Sequence, residues 1–184
     1  MKSNNPKPLP PQQYLRECLD YNPDTGKLTW KGRPPHHFAT PYQHKLYNSR
    51  WPGCGALRNA TGRGYIGGAI DGTRYLSHRI IWKLVHNEEP EIVDHINGDP
   101  HDNRLCNLRA ADKILNMRNI RLRKTNTTGA HGVQSLKSGK WGAHIKTSDG
   151  YLWLGTFEAF DDAIAARRNA EAEHGYHHNH GRIA

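Results

Sequence analysis

The sequence predicts an α+β protein made of small modules, on the basis of its composition, its periodicity and its many turns. Only 35% of its 184 residues are hydrophobic, whereas glycine (18) and proline (11) are frequent. Such a composition is typical of short elements joined by turns rather than of one large core. Segments that alternate apolar and polar residues, as half-buried strands do, are interleaved with segments of helical period. A chain of this length accommodates one medium domain or two small ones.

The N-terminal part starts with a polar, proline-rich segment and then gives one helical and one extended pattern. The elements predicted here are a helix over residues 12–20, a turn over 22–26 and a strand over 27–30. Residues 31–62 show no clear period, and Trp51 and Leu57 are expected to anchor them to the core.

The central part predicts a hairpin followed by a strand–loop–strand–helix unit. Asp71-Gly72, a favoured pair for a tight turn, separates two extended segments over 65–70 and 75–77. A helix over 78–86 comes next. The elements after it are a strand over 92–96, a turn over 97–100, an extended piece over 105–108 and a helix over 111–121. Their order defines a small ββα unit.

The C-terminal part predicts a separate small module. Residues 123–130 have the composition of a linker, and the last ten residues, which include several histidines, are expected to fray. The elements between them are strands over 133–136, 141–146 and 151–154 and an alanine-rich helix over 160–174.

Charge and cysteine content limit the class of protein. The net charge of +9 favours a polyanionic partner, because each Lys or Arg placed on a phosphate releases condensed counterions. The polar N-terminal segment offers no apolar stretch for a signal peptide and the most apolar run, 80–85, is interrupted by Lys83, so neither a signal peptide nor a membrane span is expected. Three widely spaced cysteines argue against a disulfide framework and predict a cytoplasmic protein.

The ββα unit carries polar residues where a buried core would have apolar ones, at Asp94-His95 and the asparagines that follow. Phosphodiester hydrolysis needs a base that deprotonates water and a cation that compensates charge on oxygen. His95, at the end of a strand, supplies the base, and Asp94 points to the opposite side. Asp and Asn oxygens suit Mg²⁺ or Mn²⁺. Only one Asp is placed in this way, so the sequence predicts one metal ion.

These segments resemble the HNH, or His-Me finger, nucleases, particularly the phage- and intron-encoded homing endonucleases. The resemblance covers residues 14–121 and rests on YNPDTGKLTW, GYIGGAIDGTRYLSHRIIW, VDHINGDPHDNRLCNLR and LNMRN. It implies a ββα-metal fold in which His95 is the general base and Asn107 orients it. It also implies that Asp94 and Asn116 bind the Mg²⁺ or Mn²⁺ ion.

Most of these residues also have an ordinary structural interpretation. Asn107 can be a turn residue, and Asn103 is predicted to be one. Asn116 and Asn119 can be surface polar residues of a helix. His78 is predicted to be a packed or capping histidine rather than a ligand.

The C-terminal module resembles the plant Apetala/ethylene-response-factor DNA-binding domain, on the segments KWGAHIK, LWLGTF and AIAA. That resemblance implies a three-stranded sheet backed by one helix, with the open face of the sheet in the major groove. Alternation places Trp141, Ala143 and Ile145 toward the helix. The residues predicted to face DNA are His131, Gln134, Lys140, His144, Lys146, Tyr151 and Trp153.

The sequence therefore predicts a site-selective, metal-dependent DNA endonuclease of homing type. Its domains are a nuclease over 1–122, with the ββα core at about 90–121, a linker over 123–130 and a DNA-binding module over 131–184. Double-stranded DNA is the expected partner, Arg118, Arg121 or Arg104 is expected to hold neighbouring phosphates, and a monomer is slightly favoured. The alternatives are a non-catalytic DNA-binding regulator and an RNA-directed or non-specific nuclease.

Overall fold

The computed structural model describes residues 8–62, 64–123, 125–178 and 180–182. These residues form two compact units that divide between Ala110 and Ala111. The division lies on the N-terminal side of the predicted linker, so residues 111–122 belong to the same unit as the C-terminal sheet.

The first unit is built from three helices and several short antiparallel strands. Its helices are α1 (Gln12–Cys18), α2 (Pro41–Arg50) and α3 (Ser77–His86). Its strands are β1 (Leu19–Asn22), β2 (Lys27–Trp30), β3 (Gly55–Ala56), β4 (Asn59–Ala60), β5 (Ile66–Ile70), β6 (Thr73–Leu76), β7 (Ile92–His95) and β8 (Leu108–Ala111). They form sheets of order β1-β2-β3 and β4-β5-β6, and β7 pairs with β8.

The core of this unit lies where α1 packs against α3. Leu15 and Cys18 of α1 and Ile80 and Ile81 of α3 are completely buried. The apolar residues of α3 recur at helical spacing, which is why the helix places one continuous face in the core. α3 ends at Asn87, whose left-handed backbone terminates the helix.

Most predicted elements of the first unit are confirmed, with three corrections. Leu19 and Asp20 were predicted to belong to the helix but form the start of β1, because β1 pairs with β2 across the turn that Asn22 begins. Leu105–Asn107 is a short 3-10 helix rather than a strand, and β8 starts after it. Leu57 is buried as expected, but Trp51 is 48% exposed, so its predicted role as a core anchor is wrong.

The second unit contains the predicted three-stranded antiparallel sheet, of order β11-β10-β9, and one long helix. Ala143 and Ile145 are completely buried, and Trp141 and Ala143 pack in one cluster with Ala163 of the helix, as alternation predicts. The elements of the unit are α4 (Lys113–Met117), β9 (Val133–Ser135), β10 (Trp141–Thr147), β11 (Gly150–Phe157) and α5 (Phe160–Glu173).

Two predictions for the second unit, the length of α4 and the fraying of the C-terminal tail, are wrong, and both errors have the same cause. The helix expected to reach residue 121 ends at Met117, and the described residues of the C-terminal tail, 175–178 and 180–182, are held by hydrogen bonds rather than frayed. Backbone bonds join the two segments: the Arg118 carbonyl accepts from His177, the Ile120 carbonyl accepts from Gly181, and the Leu122 amide donates to Arg182. A pairing between segments so distant in sequence leaves no local pattern, so helical periodicity alone overestimates α4.

Burial of the tail is clearest at His180, whose side chain is 3% exposed. Burial, and then the nearby positive groups beginning with His131, lower the pKa of His180 to about 4. Across both units, no helix of the described residues has the length and apolar character needed to cross a membrane.

Candidate active site and nucleic-acid interface

His95 ends strand β7 and is 4% exposed. Its Nε2 atom lies 3.0 Å from Oδ1 of Asn103, which is equally buried. An amide oxygen only accepts hydrogen bonds, so this contact places the ring proton on Nε2 and leaves the lone pair on Nδ1. The imidazole is therefore held in the tautomer in which Nδ1 acts as the base.

Asn103 is itself held by the hairpin β1–β2. The Tyr21 hydroxyl donates to the Asn103 carbonyl at 2.9 Å. Gly26, in the turn of this hairpin, has a φ of +71°, and a Cβ there would lie 2.6 Å from the Asn103 carbonyl carbon and from the Arg104 amide. Only glycine allows this approach, so the turn of YNPDTG fits against the segment that carries Asn103.

Asn107 supports the loop between β7 and β8. Its Oδ1 accepts from the backbone amide of Asn97 at 2.9 Å, and its Nδ2 donates to the backbone carbonyl of Asp102 at 2.8 Å. These bonds brace the loop from both sides, whereas Asn103 contacts the imidazole of His95. Sequence reasoning treated Asn103 as a turn residue; its spacing of eight residues from His95 gave no signal of this contact.

Asp94 lies on the opposite side of β7 from His95, as strand alternation predicts. Its Oδ2 accepts from Nε and Nη2 of Arg109, at 3.1 and 2.8 Å, and its side chain is 11% exposed. The carboxylate is thus oriented by two N–H groups of one guanidinium, both of which donate to Oδ2. The second predicted metal ligand, Asn116, lies in α4 of the second unit, so its pairing with Asp94 stays a prediction.

His78 packs beside the predicted base. Its ring is nearly perpendicular to that of His95, with centroids 5.0 Å apart, and Tyr65 lies against both rings. Burial, then the proximity of His95 and Arg79, lowers the pKa of His78 to about 3. Its Nδ1 is buried without a hydrogen-bond partner among the described residues. These contacts are those of a neutral packing residue.

Residues 75–118 match the HNH endonuclease family. The matched segment includes Asp94, His95, Asn103, Asn107 and Asn116. The match supports a nuclease that acts on DNA, and HNH nucleases typically use a divalent metal ion. Neither the comparison with curated proteins nor that with solved structures found a match for this chain.

Glu17, His36 and His37 form the one group of three potential metal ligands with closely spaced atoms in the described ranges. It lies outside the HNH match. Here Nε2 of His37 is 2.7 Å from Glu17 Oε2, and Arg33 donates to Nδ1 of the same ring at 3.0 Å. Because Nδ1 accepts from Arg33, Nε2 carries the ring proton and contacts Glu17 as a donor. The group can hold a metal only if this hydrogen bonding changes.

The open face of the C-terminal sheet carries four of the residues that were predicted to contact DNA. Across β10 and β11, His144 pairs with Trp153 and Lys146 pairs with Tyr151, so all four side chains share one face. Tyr151 is 76% and Trp153 is 49% exposed. A Cβ on Gly142 would lie 2.3 Å from the Trp153 ring, so this glycine allows the indole to lie over the strand.

The remaining predicted contact residues are distributed around this face. Gln134 pairs with Gly142 in β9, whereas Lys140 precedes β10 and forms an ion pair with Glu158. Arg118 lies over the Tyr176 ring at 5.8 Å. Nε2 of His131 is 3.1 Å from the Arg121 carbonyl.

Some of the predicted DNA-contact residues line a cavity of about 540 Å³ in the second unit. His131, His144, Lys146 and Tyr151 line it together with Arg123, Arg167 and Tyr176. Sequence reasoning missed Arg167, because it belongs to the acidic helix α5. There it is buried and bonds to the His144 carbonyl and to Glu171.

Proposed function

We propose that this protein is a homing-type endonuclease that hydrolyses phosphodiester bonds of double-stranded DNA. The observation that carries the proposal is the buried His95–Asn103 hydrogen bond within a segment that matches the HNH endonucleases. It makes Nδ1 of His95 the nitrogen that takes a proton from the attacking water. The three free cysteines agree with an enzyme of the cytoplasm of a bacterial or phage-infected cell.

Each neighbouring group has a role that its contacts support. Asn103 keeps the His95 ring in the basic tautomer, and Asn107 keeps the loop that carries Asn103 in place. Arg109 orients the Asp94 carboxylate. These hydrogen bonds exist before substrate binds, so the base does not have to be reoriented during the reaction.

Asp94 and Asn116 fit a hard divalent cation, because both offer oxygen ligands and Mg²⁺ takes few protein ligands. When bound, such an ion compensates charge on the non-bridging and leaving oxygens of the phosphodiester. In this proposal a single Mg²⁺ or Mn²⁺ ion serves one active site, and the products carry a 5′-phosphate and a 3′-hydroxyl. Arg118 and Arg121 hold phosphates next to the scissile bond.

The test is a plasmid-nicking assay in Mg²⁺ with the full chain and two histidine variants. His95→Ala should lower the rate by about 10²–10⁴-fold with little change in DNA affinity, because the base affects the barrier and not the binding. His101→Ala is the matched control, because His101 lies in the loop that follows β7 and its side chain is 58% exposed. Equal rates for the parent and His95→Ala would eliminate His95 as the base. Tight DNA binding by a parent that never cleaves would favour the DNA-binding regulator.

We further propose that the second unit selects the site through the open face of its sheet, as in the plant domain it resembles. Support comes from the shared face of His144, Lys146, Tyr151 and Trp153. Lys146→Ala should weaken duplex binding, whereas Asp162→Ala on α5 should not, because α5 packs against the other face of the sheet. Gel-shift titrations at two salt concentrations measure both effects, and equal behaviour of the two variants would refute the assignment.

A further inference from the structure

Residues 31–62, which no sequence pattern explained, contain a helix with an unusual outer face. Helix α2 is capped by Thr40, whose hydroxyl accepts from the Gln43 amide, and it starts with Pro41. None of its residues is buried. The helix is therefore stabilised by its N-terminal cap and by half-buried contacts along one side rather than by a fully buried apolar face.

One side of α2 is fixed to the first unit through Arg33. Nε2 of His44 is 3.1 Å from the Arg33 carbonyl, and the Asn48 side chain bonds to both the amide and the carbonyl of Arg33. Tyr47 packs against Phe38, with ring centroids 5.3 Å apart. These contacts set the rotation of the helix and determine which residues point outward.

The outward residues are exposed and include no acidic residue. They are Tyr42, Lys45, Leu46, Ser49 and Arg50, which we call the α2 face. Tyr42 is 73% exposed and Leu46 is 37% exposed. Exposed aromatic and aliphatic groups next to unpaired cations are typical of interaction surfaces.

The charge around the α2 face identifies the kind of partner. No acidic residue occurs between Asp24 and Asp71, and Lys45 and Arg50 have no ion pair within the described part of the chain. The exposed cations described in this stretch are Lys27, Lys31, Lys45, Arg50 and Arg58, whereas Arg33 is buried and paired with Asp71. A solvated surface helix usually carries both signs of charge. The absence of acidic residues here therefore favours a polyanionic binding partner.

We propose that the α2 face binds the sugar–phosphate backbone of duplex DNA outside the cleavage site. Lys45 and Arg50 contact phosphates, and Tyr42 and Leu46 pack against the deoxyribose between them. This inference rests on the proposed function, since it takes DNA as the substrate. It assigns a role in the nuclease unit to a segment outside the HNH match, and it gives this unit affinity that does not depend on base sequence.

The experiment measures binding of a random-sequence 30-base-pair duplex to the full chain that carries His95→Ala, so that cleavage does not interfere. No specific target is needed, because phosphate contacts carry no sequence information. The test variant is Lys45→Gln/Arg50→Gln. The control is Arg16→Gln/Arg74→Gln, which removes the same charge from exposed residues of the same unit. Glutamine retains the length of the side chain and favours helices nearly as well as lysine and arginine.

We expect the slope of log Kd against log salt to decrease by about 1.8 in the test variant, at roughly 0.9 for each phosphate contact. This corresponds to as much as about 60-fold weaker binding near 0.1 M salt if both contacts are complete. The control should change far less. Equal changes in the test and control variants would mean that DNA affinity depends only on the net charge of the protein, and the inference would then be wrong.

A third variant, Leu46→Lys, separates DNA from a protein partner. A DNA surface should bind duplex equally well or more tightly, because the methylene stem of the lysine retains the contact with the sugar and its ammonium group adds a cation, whereas an interface with a second copy of the chain should be disrupted. Loss of concentration-dependent dimerisation in sedimentation, with duplex affinity unchanged in all variants, would overturn the inference. Failure of the parent chain to bind duplex at all would instead refute the proposed function. Circular dichroism checks folding, which these exposed substitutions should leave intact.

Discussion

Replacing Asn103 with alanine tests whether its side chain holds His95 in the catalytic tautomer. The 3.0 Å contact joins two groups that are each 4% exposed, so water cannot readily replace the lost acceptor. Leaving a buried donor unsatisfied costs about 1–3 kcal/mol, and each 1.4 kcal/mol is a tenfold change in a ratio of states. We therefore expect kcat for plasmid nicking to decrease by about 10–100-fold, which is less than for loss of the base itself.

Three further measurements make this prediction specific. The ¹⁵N spectrum of the neutral His95 ring should show the proton on Nε2 in the parent and a mixture of tautomers in Asn103→Ala. Asn103→Asp keeps an acceptor at the same place and should retain most of the activity. KM for DNA should remain near the parent value in both variants, because Asn103 is buried and acts on the base.

A structural explanation without a catalytic role makes a different prediction. If Asn103 only stabilises the loop, Asn103→Ala should lower the melting temperature while kcat and the ¹⁵N spectrum stay unchanged below that temperature. This outcome would refute the reasoning. Asn59→Ala, at an exposed position of the same unit, controls for the effect of removing a carboxamide.

Three other predictions follow from contacts in the two units. Arg109→Ala should raise the Mg²⁺ concentration needed for half-maximal nicking, because it removes the two N–H groups that orient the Asp94 carboxylate; a metal titration measures this. Gly26→Ala should lower the free energy of unfolding by at least about 1–2 kcal/mol, since its φ is +71° and its Cβ would meet backbone atoms; denaturant unfolding measures it. Gly142→Ala should displace the Trp153 ring and weaken duplex binding in a gel shift, without changing nicking of a non-specific plasmid at saturating protein.

Local patterns were sufficient where a residue's role depends on its neighbours in the chain. Strand alternation placed Asp94 and His95 on opposite sides of β7, and the same rule placed Trp141, Ala143 and Ile145 toward α5. The type and spacing of these residues sufficed because a strand orients its side chains by parity alone.

The sequence by itself determined the α+β composition, most elements, and the segment whose chemistry suits phosphodiester hydrolysis. Only the tertiary structure determined that Asn103 holds the His95 ring, that the β1–β2 hairpin holds Asn103, and that the C-terminal tail pairs with residues 118–122. The reason is physical: these contacts join residues eight or more positions apart, beyond the range in which a helix or strand period relates side chains, and they form only when the chain packs. No propensity or period of the local chain encodes such a contact.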